Sequence, residues 1–252
     1  MEQRSGALQE REYALVICDI SGYTRFVSGH QEVRNHGFVI VSQLLKAILR
    51  SAAPELKLSK LEGDAVFLFR VLPPDPVGRR EALRQVLTAC DRAFENFAAR
   101  RRELVQANIC PCEACQSAST LDLKIVLSSG VAVMQRIGSH QELAGVEVIR
   151  VHRLLKNSVD SRRYLLVTEE TAAGLEDAGL PAYAQARECH EELGDCLVRI
   201  YEPPLGLAVR PAERSYGSVL HKAKDILTKI VLGRLHQFGV LPARTPGLAS
   251  DR

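Results

Sequence analysis

The feature that most restricts the fold of this chain is an apolar run that ends abruptly in an acidic residue. Residues 12–20, EYALVICDI, are mainly aliphatic and β-branched up to Asp19, and the polar turn Ser21-Gly22 follows. A continuous apolar run of this length, bounded by a turn, predicts a strand that is buried on both faces. The position of Asp19 at its end is the first functional question that the sequence raises.

The remaining patterns alternate between helices and strands. One apolar stripe predicts a helix that Pro54 ends, and its members are Phe38, Val41, Leu44, Leu45, Ile48 and Leu49. Residues 56–71 predict two strands folded at Glu62-Gly63-Asp64, and PPDPVG predicts a loop. The later segments predict a helix at 83–97, a long strand at 121–134, a helix at 146–158, a strand at 163–168, a short helix at 169–179 and a final strand at 197–203. This order predicts an α+β fold of ferredoxin-like type, with helices packed on a mixed sheet.

Composition excludes several classes of protein. The 252 residues are 46% hydrophobic and 25% charged, as in an ordinary soluble globular protein. A net charge of +3 is too mild to favour a nucleic-acid partner. No run approaches the roughly 18–20 apolar residues of a membrane span. From the charge we expect no nucleic-acid partner. The polar N-terminus shows no apolar core of a signal peptide, so we expect a cytoplasmic protein.

The chain divides into a main domain and smaller flanking segments. We expect an N-terminal tail at 1–11, the main domain at 12–205, an amphipathic helix at 213–238 and a flexible tail at 239–252. Packing of the helix on the domain, or on its copy in a dimer, is the favoured interpretation. The alternative is peripheral contact of its basic face with an anionic membrane surface.

Two carboxylates, Asp19 and Asp64, are predicted to end neighbouring strands. Magnesium takes oxygen ligands, often one or two carboxylates together with substrate phosphates. The segment after Asp19 turns into a helix, whose first N–H groups can hold a phosphate. The pattern favours a metal–polyphosphate site, whereas the alternative is a structural turn aspartate beside a solvated hairpin tip.

Four motifs resemble the class III nucleotidyl cyclases, in the order of that family. They are CDISGYTRF at 18–26, KLEGDAVFLF at 60–69, LKIVLSSGVAVMQRIG at 123–138 and GVEVIRVHRLLKNS at 145–158. The resemblance covers residues 12 to 202 and suggests a divergent branch with a cysteine-rich insertion at about 106–119. It implies a class III cyclase-type sheet.

The resemblance also implies roles for individual residues. Asp19, Ile20 and Asp64 would hold two Mg²⁺ or Mn²⁺ ions under the triphosphate of ATP or another nucleoside triphosphate. Arg153 would stabilise charge on the reacting phosphate. The implied nucleotide-binding residues are Ser21, Gly22, Tyr23, Thr24, Lys60 and Glu142, of which Lys60 and Glu142 would read adenine. In the family, the aspartates of one subunit face the arginine of the other, so a homodimer is implied.

Two departures from the family leave the function open. Ile149 stands where the family has an asparagine, and no lysine is available near residues 192–195 to hold the triphosphate. The leading hypothesis is an adenylate cyclase that makes cyclic AMP and pyrophosphate. The alternative is a catalytically degenerate signalling module that binds a nucleotide or a protein partner. A phosphatase-like aspartate site is a weaker third hypothesis, because no second nucleophile motif follows.

A cysteine cluster lies outside these motifs. Cys110, Cys112 and Cys115 offer three soft ligands, and tetrahedral zinc takes four. The candidates for the fourth ligand are Cys189, His190, Cys196 or a residue of a second subunit. Structural zinc is the favoured interpretation, and the alternatives are an iron–sulfur cluster or three free thiols.

Overall fold

The computed structural model describes residues 10–28, 31–138, 140–176, 180, 183–190, 193–207 and 227, with only the backbone for residues 31–35 and 140. Its strands are β1 (Glu10–Ser21), β2 (Lys57–Glu62), β3 (Ala65–Val71), β4 (Asp122–Ile137), β5 (His140–Ala144), β6 (Tyr164–Thr168), β7 (Tyr183–His190) and β8 (Gly194–Tyr201). Its α-helices are α1 (Tyr23–Val27), α2 (Gln31–Ala52), α3 (Pro76–Gln106), α4 (Glu113–Ser117), α5 (Val146–Arg153) and α6 (Glu169–Ala173).

The strands form one mixed sheet of eight strands, in the order β2-β3-β1-β4-β6-β8-β7, and β5 pairs with β4. Strand β4 is long enough to change partners along its length. Residues 124–127 pair in parallel with β6, and residues 133–137 pair antiparallel with β5. The central position of β1 explains its apolar sequence, because strands pair with it on both edges and helices cover both of its faces.

The sheet separates two apolar cores. Alternate residues of β1 point to opposite faces, so Val16 and Cys18 join one core, whereas Leu15 and Ile17 join the other. Helices α2, α3, α4 and α6 supply buried residues to the first core. Helix α5 supplies Val151 to the second core, and Leu154, the residue after the helix, joins it. Asp19 follows the alternation of Leu15 and Ile17, which places it on the α5 face of the sheet.

The predicted α+β class with a mixed sheet is confirmed, and so is the hairpin at residues 62–64. One local prediction is wrong in its second half: residues 73–75 of the PPDPVG segment form a loop, but Pro76 begins α3. Asp75 caps this helix by accepting a hydrogen bond of 2.7 Å from the Gly78 amide. Proline suits a first helical turn, because its missing N–H would have no partner there.

Other differences concern the limits and number of elements. Strand β1 begins at Glu10, within the predicted N-terminal tail, and strands β5 and β7 were absent from the predicted order. The predicted amphipathic helix at 213–238 and the tail at 239–252 lie outside the described residues, apart from a helical Leu227. Among the described helices, none combines the length and the apolar character that crossing a membrane requires.

Candidate functional site

The two predicted aspartates meet where β1 ends beside the β2–β3 turn. Asp19 is in register with Ala65, the residue after Asp64, and the Ile20 amide donates to the Asp64 carbonyl oxygen at 3.3 Å. Gly63 has φ +67, a conformation that suits glycine, and it lets the chain reverse before Asp64. Ile20 is 1% exposed, so its aliphatic side chain is part of the core and offers no ligand atom.

The carboxyl groups of Asp19 and Asp64 are close enough to affect each other's charge. Burial and the negative charge of Asp19 together raise the pKa of Asp64 to about 6. Burial and the charge of Asp64 also raise the pKa of Tyr23, whose hydroxyl therefore stays protonated at neutral pH. Two carboxylates under mutual repulsion favour a divalent cation between them.

Lys124 is a further residue of this site, which the sequence analysis missed. Its Nζ lies 3.1 Å from Oδ2 of Asp19 and donates to the carbonyl oxygen of Leu155, also at 3.1 Å. Its charge acts to lower the pKa of Asp64. Because strand register fixes Lys124 directly opposite Asp19, the available signal was the pairing of β4 with β1.

The turn from Ser21 to Thr24 joins β1 to α1. Gly22 has φ +89 and precedes the first residue of α1. The Phe26 amide donates to the Gly22 carbonyl oxygen at 3.1 Å, which closes the first helical turn. A Cβ atom built on Gly22 would lie 3.4 Å from the Thr120 carbonyl oxygen, so the turn rests against the chain that follows α4.

The predicted base-reading residues Lys60 and Glu142 also lie together. Nζ of Lys60 is 2.8 Å from Oε1 of Glu62 and 3.7 Å from Oε1 of Glu142. The hydrogen bond to Glu62 raises the pKa of Lys60, which remains a cation. Although burial opposes the change, Lys60 and His152 lower the pKa of Glu62.

His152 extends this charged group onto α5. Nε2 of His152 is 3.1 Å from Oε1 of Glu62, and Nδ1 is 2.6 Å from the Val148 carbonyl oxygen. Both hydrogen bonds form only when both ring nitrogens carry protons, because both facing atoms are acceptors. The ring also packs edge-on against Phe67, with centroids 4.9 Å apart.

A groove of about 410 Å³ lies along α5, and it is lined by Lys60, Val148, Ile149, His152, Arg153 and Lys156. Arg153 is exposed, and the side chain of Ile149 presents an apolar surface that is 48% exposed. Neither Asp19 nor Asp64 lines this groove. In the described part of one chain, Arg153 lines this groove and the aspartate pair does not.

The three clustered cysteines gather with a histidine that the sequence analysis did not consider. Nδ1 of His36 lies 3.5 Å from Sγ of Cys110, 3.4 Å from Sγ of Cys112 and 3.7 Å from Sγ of Cys115. The three fourth ligands predicted within this chain were wrong, since the structure places His36 beside the cysteines, and a ligand from a second subunit stays a prediction. The rejected candidates, Cys189, His190 and Cys196, lie on the β7–β8 hairpin, outside this group.

Sequence comparisons match part of the chain to proteins without an assigned activity. A family model described as "Protein of unknown function (DUF2652)" matches residues 41–164. The uncharacterized protein Rv2561/Rv2562 of Mycobacterium tuberculosis (strain ATCC 25618 / H37Rv) is 36% identical over 141 residues. These residues make up 55% of this chain, and the match spans 61% of the length of that relative.

Solved structures with a similar fold include several nucleotide cyclases. The adenylyl cyclase CyaB from P. aeruginosa superposes with a TM-score of 0.58 at 13% identity, over 82% of this chain and 98% of the cyclase chain. The guanylyl cyclase Cya2 gives a TM-score of 0.56 at 12% identity, over 79% and 97%. The guanylate cyclase domain of RhGC from Catenaria anguillulae, in complex with GTP, gives 0.54 at 14% identity, over 77% and 97%. At these identities the likeness establishes the fold, which is that of class III cyclase domains.

Proposed function

We propose that this chain is a class III-type nucleotidyl cyclase domain that converts ATP to cyclic AMP and pyrophosphate at a homodimer interface. The observation that carries the proposal is the pair of carboxyl groups of Asp19 and Asp64. Burial and Asp19 raise the pKa of Asp64 to about 6 although the charge of Lys124 opposes the rise, and carboxyl groups perturbed in this way cluster at functional sites. The cyclase-type fold supports the assignment of this pair to nucleotide chemistry.

The residues of this chain fit a pair of divalent cations. Asp19 and Asp64 supply the hard oxygen ligands that Mg²⁺ and Mn²⁺ take, and the Ile20 amide donates to the Asp64 carbonyl oxygen. When bound, two such ions supply activation of the ribose 3′-hydroxyl and neutralisation of the triphosphate. The turn from Ser21 to Thr24 would present amide groups of the first turn of α1 to the phosphates.

Base recognition is proposed for Lys60, which lines the groove along α5, and for its neighbour Glu142. Lys60 offers a donor to N1 of adenine, and Glu142 offers an acceptor to its N6 amino group. The 3.7 Å between Lys60 and Glu142 supports their joint action on one base edge. Arg153, which lines the groove with Lys60, would stabilise negative charge on the reacting phosphate.

A second copy of the chain would complete the site. The groove with Arg153 does not include the aspartates of the same chain, so one chain would bind the metal and phosphates while the other would bind the base. The proposed reaction joins the 3′ oxygen to the α-phosphorus and breaks the α–β bridge. Pyrophosphate then leaves, and the 3′-hydroxyl proton passes to solvent.

The direct test is incubation with ATP or GTP and either Mn²⁺ or Mg²⁺, followed by detection of cyclic nucleotide and pyrophosphate. We expect product from the wild type and a loss of about 10²-fold or more in Asp64→Ala, the scale of removing one charge-stabilising group. The matched control is Asp195→Ala, because Asp195 pairs with Arg187 on the exposed β7–β8 hairpin. Equal product from Asp64→Ala and the wild type would refute the proposal.

The alternative function is nucleotide binding without turnover, and Ile149 favours it. An aliphatic side chain in the groove cannot orient a ribose by hydrogen bonding, and Lys124 already neutralises part of the charge of Asp19. Ile149→Asn separates the two functions, with Ile149→Ala as its control. If the domain is a slow cyclase, the restored amide should raise turnover at least about tenfold. A domain that only binds should retain nucleotide affinity and form no product in either variant.

A further inference from the structure

The cluster of His36, Cys110, Cys112 and Cys115 has the dimensions of a mononuclear metal centre. Its ligand atoms all lie within 4.8 Å of one another. With Zn–S bonds of about 2.3 Å and Zn–N bonds of about 2.0–2.1 Å, a tetrahedral centre separates nitrogen from sulfur by about 3.6 Å. The three observed distances, 3.5, 3.4 and 3.7 Å, bracket that value.

Ordinary hydrogen bonding does not account for this convergence. Nδ1 of an imidazole carries either one proton or one lone pair, so it cannot bond to three sulfur atoms at once. All three sulfur atoms nevertheless approach the same nitrogen at nearly equal distances. A single positive ion at the centre of the four atoms satisfies each of them.

The ligand set favours zinc in a structural role. Three thiolates and one imidazole complete a tetrahedron without an open position, which is the composition of structural rather than catalytic zinc sites. Cys115 is buried, and the other three ligands are half-buried. An iron–sulfur cluster would need room for several iron atoms and bridging sulfides between its ligands. The close spacing of the four atoms leaves room for one ion.

Local structure prepares the cysteines for this geometry. The Asn108 side chain accepts a hydrogen bond from the Cys110 amide and donates one to the Cys110 carbonyl oxygen, both at 3.0 Å. Cys112 precedes the first residue of α4, and Cys115 follows three positions later. Residues three apart at a helix start share one side of it, which turns both sulfur atoms toward α2.

The cluster also lies behind the turn that carries the candidate site. His36 precedes Gly37, where an added Cβ atom would lie 3.3 Å from the Phe26 ring of α1. The segment after α4 reaches Thr120, whose carbonyl oxygen would lie 3.4 Å from a Cβ atom built on Gly22. We infer that His36, Cys110, Cys112 and Cys115 bind one Zn²⁺ ion that ties residues 110–121 to α2 and thereby holds α1 and its preceding turn in place.

Metal analysis tests the zinc assignment without nucleotide, so its outcome is independent of any cyclase activity. We expect about one zinc per chain in desalted wild type, and thiolate charge-transfer bands together with tetrahedral ligand-field bands after substitution with Co²⁺. His36→Ala and Cys112→Ser should lose the bound ion. Cys189→Ser is the matched control, because Cys189 is an exposed thiol outside the cluster.

Wild type stripped with a chelator provides a second measurement if the ligand variants do not fold. Restored Zn²⁺ should slow amide hydrogen exchange in residues 19–28 more than in the β7–β8 hairpin. Desalted wild type without metal, or equal zinc loss in Cys189→Ser and Cys112→Ser, would overturn the zinc site. Unchanged exchange in residues 19–28 would overturn its role in holding the turn.

Discussion

The two groups of potential metal ligands in the described residues differ in the chemistry of their atoms and in whether they leave coordination positions open. Asp19 lies on the α5 face of the sheet, and with Asp64 it offers hard oxygen atoms whose charges repel. The cysteines pack against the opposite core, where His36 completes a closed set of soft ligands. A pair that leaves coordination positions open suits ions that arrive with a substrate, whereas a complete tetrahedron suits a permanent ion.

Removal of zinc should give the largest effect and act on stability. A ligand at 1,000 times its Kd stabilises the folded state by about 4 kcal/mol. Since 1 kcal/mol shifts Tm by about 2–4 °C in domains of 150–250 residues, chelation should lower Tm by about 8–16 °C. Differential scanning calorimetry before and after chelation measures the change.

The control for this prediction is the replacement of zinc by magnesium. Restored Zn²⁺ should recover the lost stability, while Mg²⁺ should not, because thiolates bind hard cations poorly. If Mg²⁺ restored Tm as well as Zn²⁺ did, the distinction between the soft and the hard cluster would fail.

The affinity of the aspartate pair for a divalent cation should depend on pH in the range where Asp64 titrates. With a pKa of about 6, Asp64 is ionised at pH 7 and increasingly protonated below pH 6. Since a cation must displace that proton, the affinity for Mn²⁺ should fall about tenfold for each pH unit below 6. Isothermal titration calorimetry without nucleotide, between pH 5 and pH 8, gives the profile. A flat profile would show that Asp64 does not bind the ion.

The sequence predicted those members of the aspartate group and of the cysteine group that lie within short sequence motifs. It identified Asp19 because that residue ends an apolar strand, and Asp64 because it stands at the tip of a hairpin. The resemblance gave Lys60 and Glu142 a joint role. His36 was missed because 74 residues separate it from Cys110, and a lone histidine in an amphipathic helix carries no metal-binding pattern. Lys124 was missed because its partner depends on strand register, which only the folded sheet fixes.

Strands β5 and β7, which the predicted order lacked, have weak local sequence patterns. Strand β7 exposes most of its residues, so it shows no apolar alternation, and β5 is only five residues long. Both strands depend on pairing with neighbours, β7 with β8 and β5 with β4. Tertiary pairing of this kind overrides local propensity.

Replacement of Asp64 by asparagine should separate stability from ion binding. Because the pKa of Asp64 is higher in the folded state than its ordinary value of 3.8, its contribution to stability is present below pH 4 and is lost as pH rises through about 6. Asp64→Asn removes the repulsion with Asp19 and should raise Tm at pH 7.5, without added cations, by about 2–4 °C. Thermal unfolding at pH 7.5 measures the gain, and Mn²⁺ should no longer stabilise the variant.

Asp195→Asn is the control for this stability gain. Asp195 is exposed and its pKa is lowered by its hydrogen bonds with Cys189 and Arg187, so its replacement should not raise Tm. A lower Tm for Asp64→Asn than for the wild type at pH 7.5 would show that the carboxyl group of Asp64 has a structural role, as the sulfur ligands have.

Replacement of Lys124 should have the smallest effect, because the ion pair through which Lys124 competes with a cation for Asp19 is partly exposed. Partly exposed ion pairs of this kind contribute about 0.2–1 kcal/mol, so Lys124→Gln should raise the affinity for Mn²⁺ by at most about fivefold. Lys46→Gln, on the exposed side of α2, is the matched control for the loss of one positive charge. Calorimetric titration of both variants at pH 7.5 measures the difference. Weaker Mn²⁺ binding in Lys124→Gln would mean that Lys124 holds Asp19 in position, which would make the oxygen site as dependent on a built-in partner as the sulfur site is on His36.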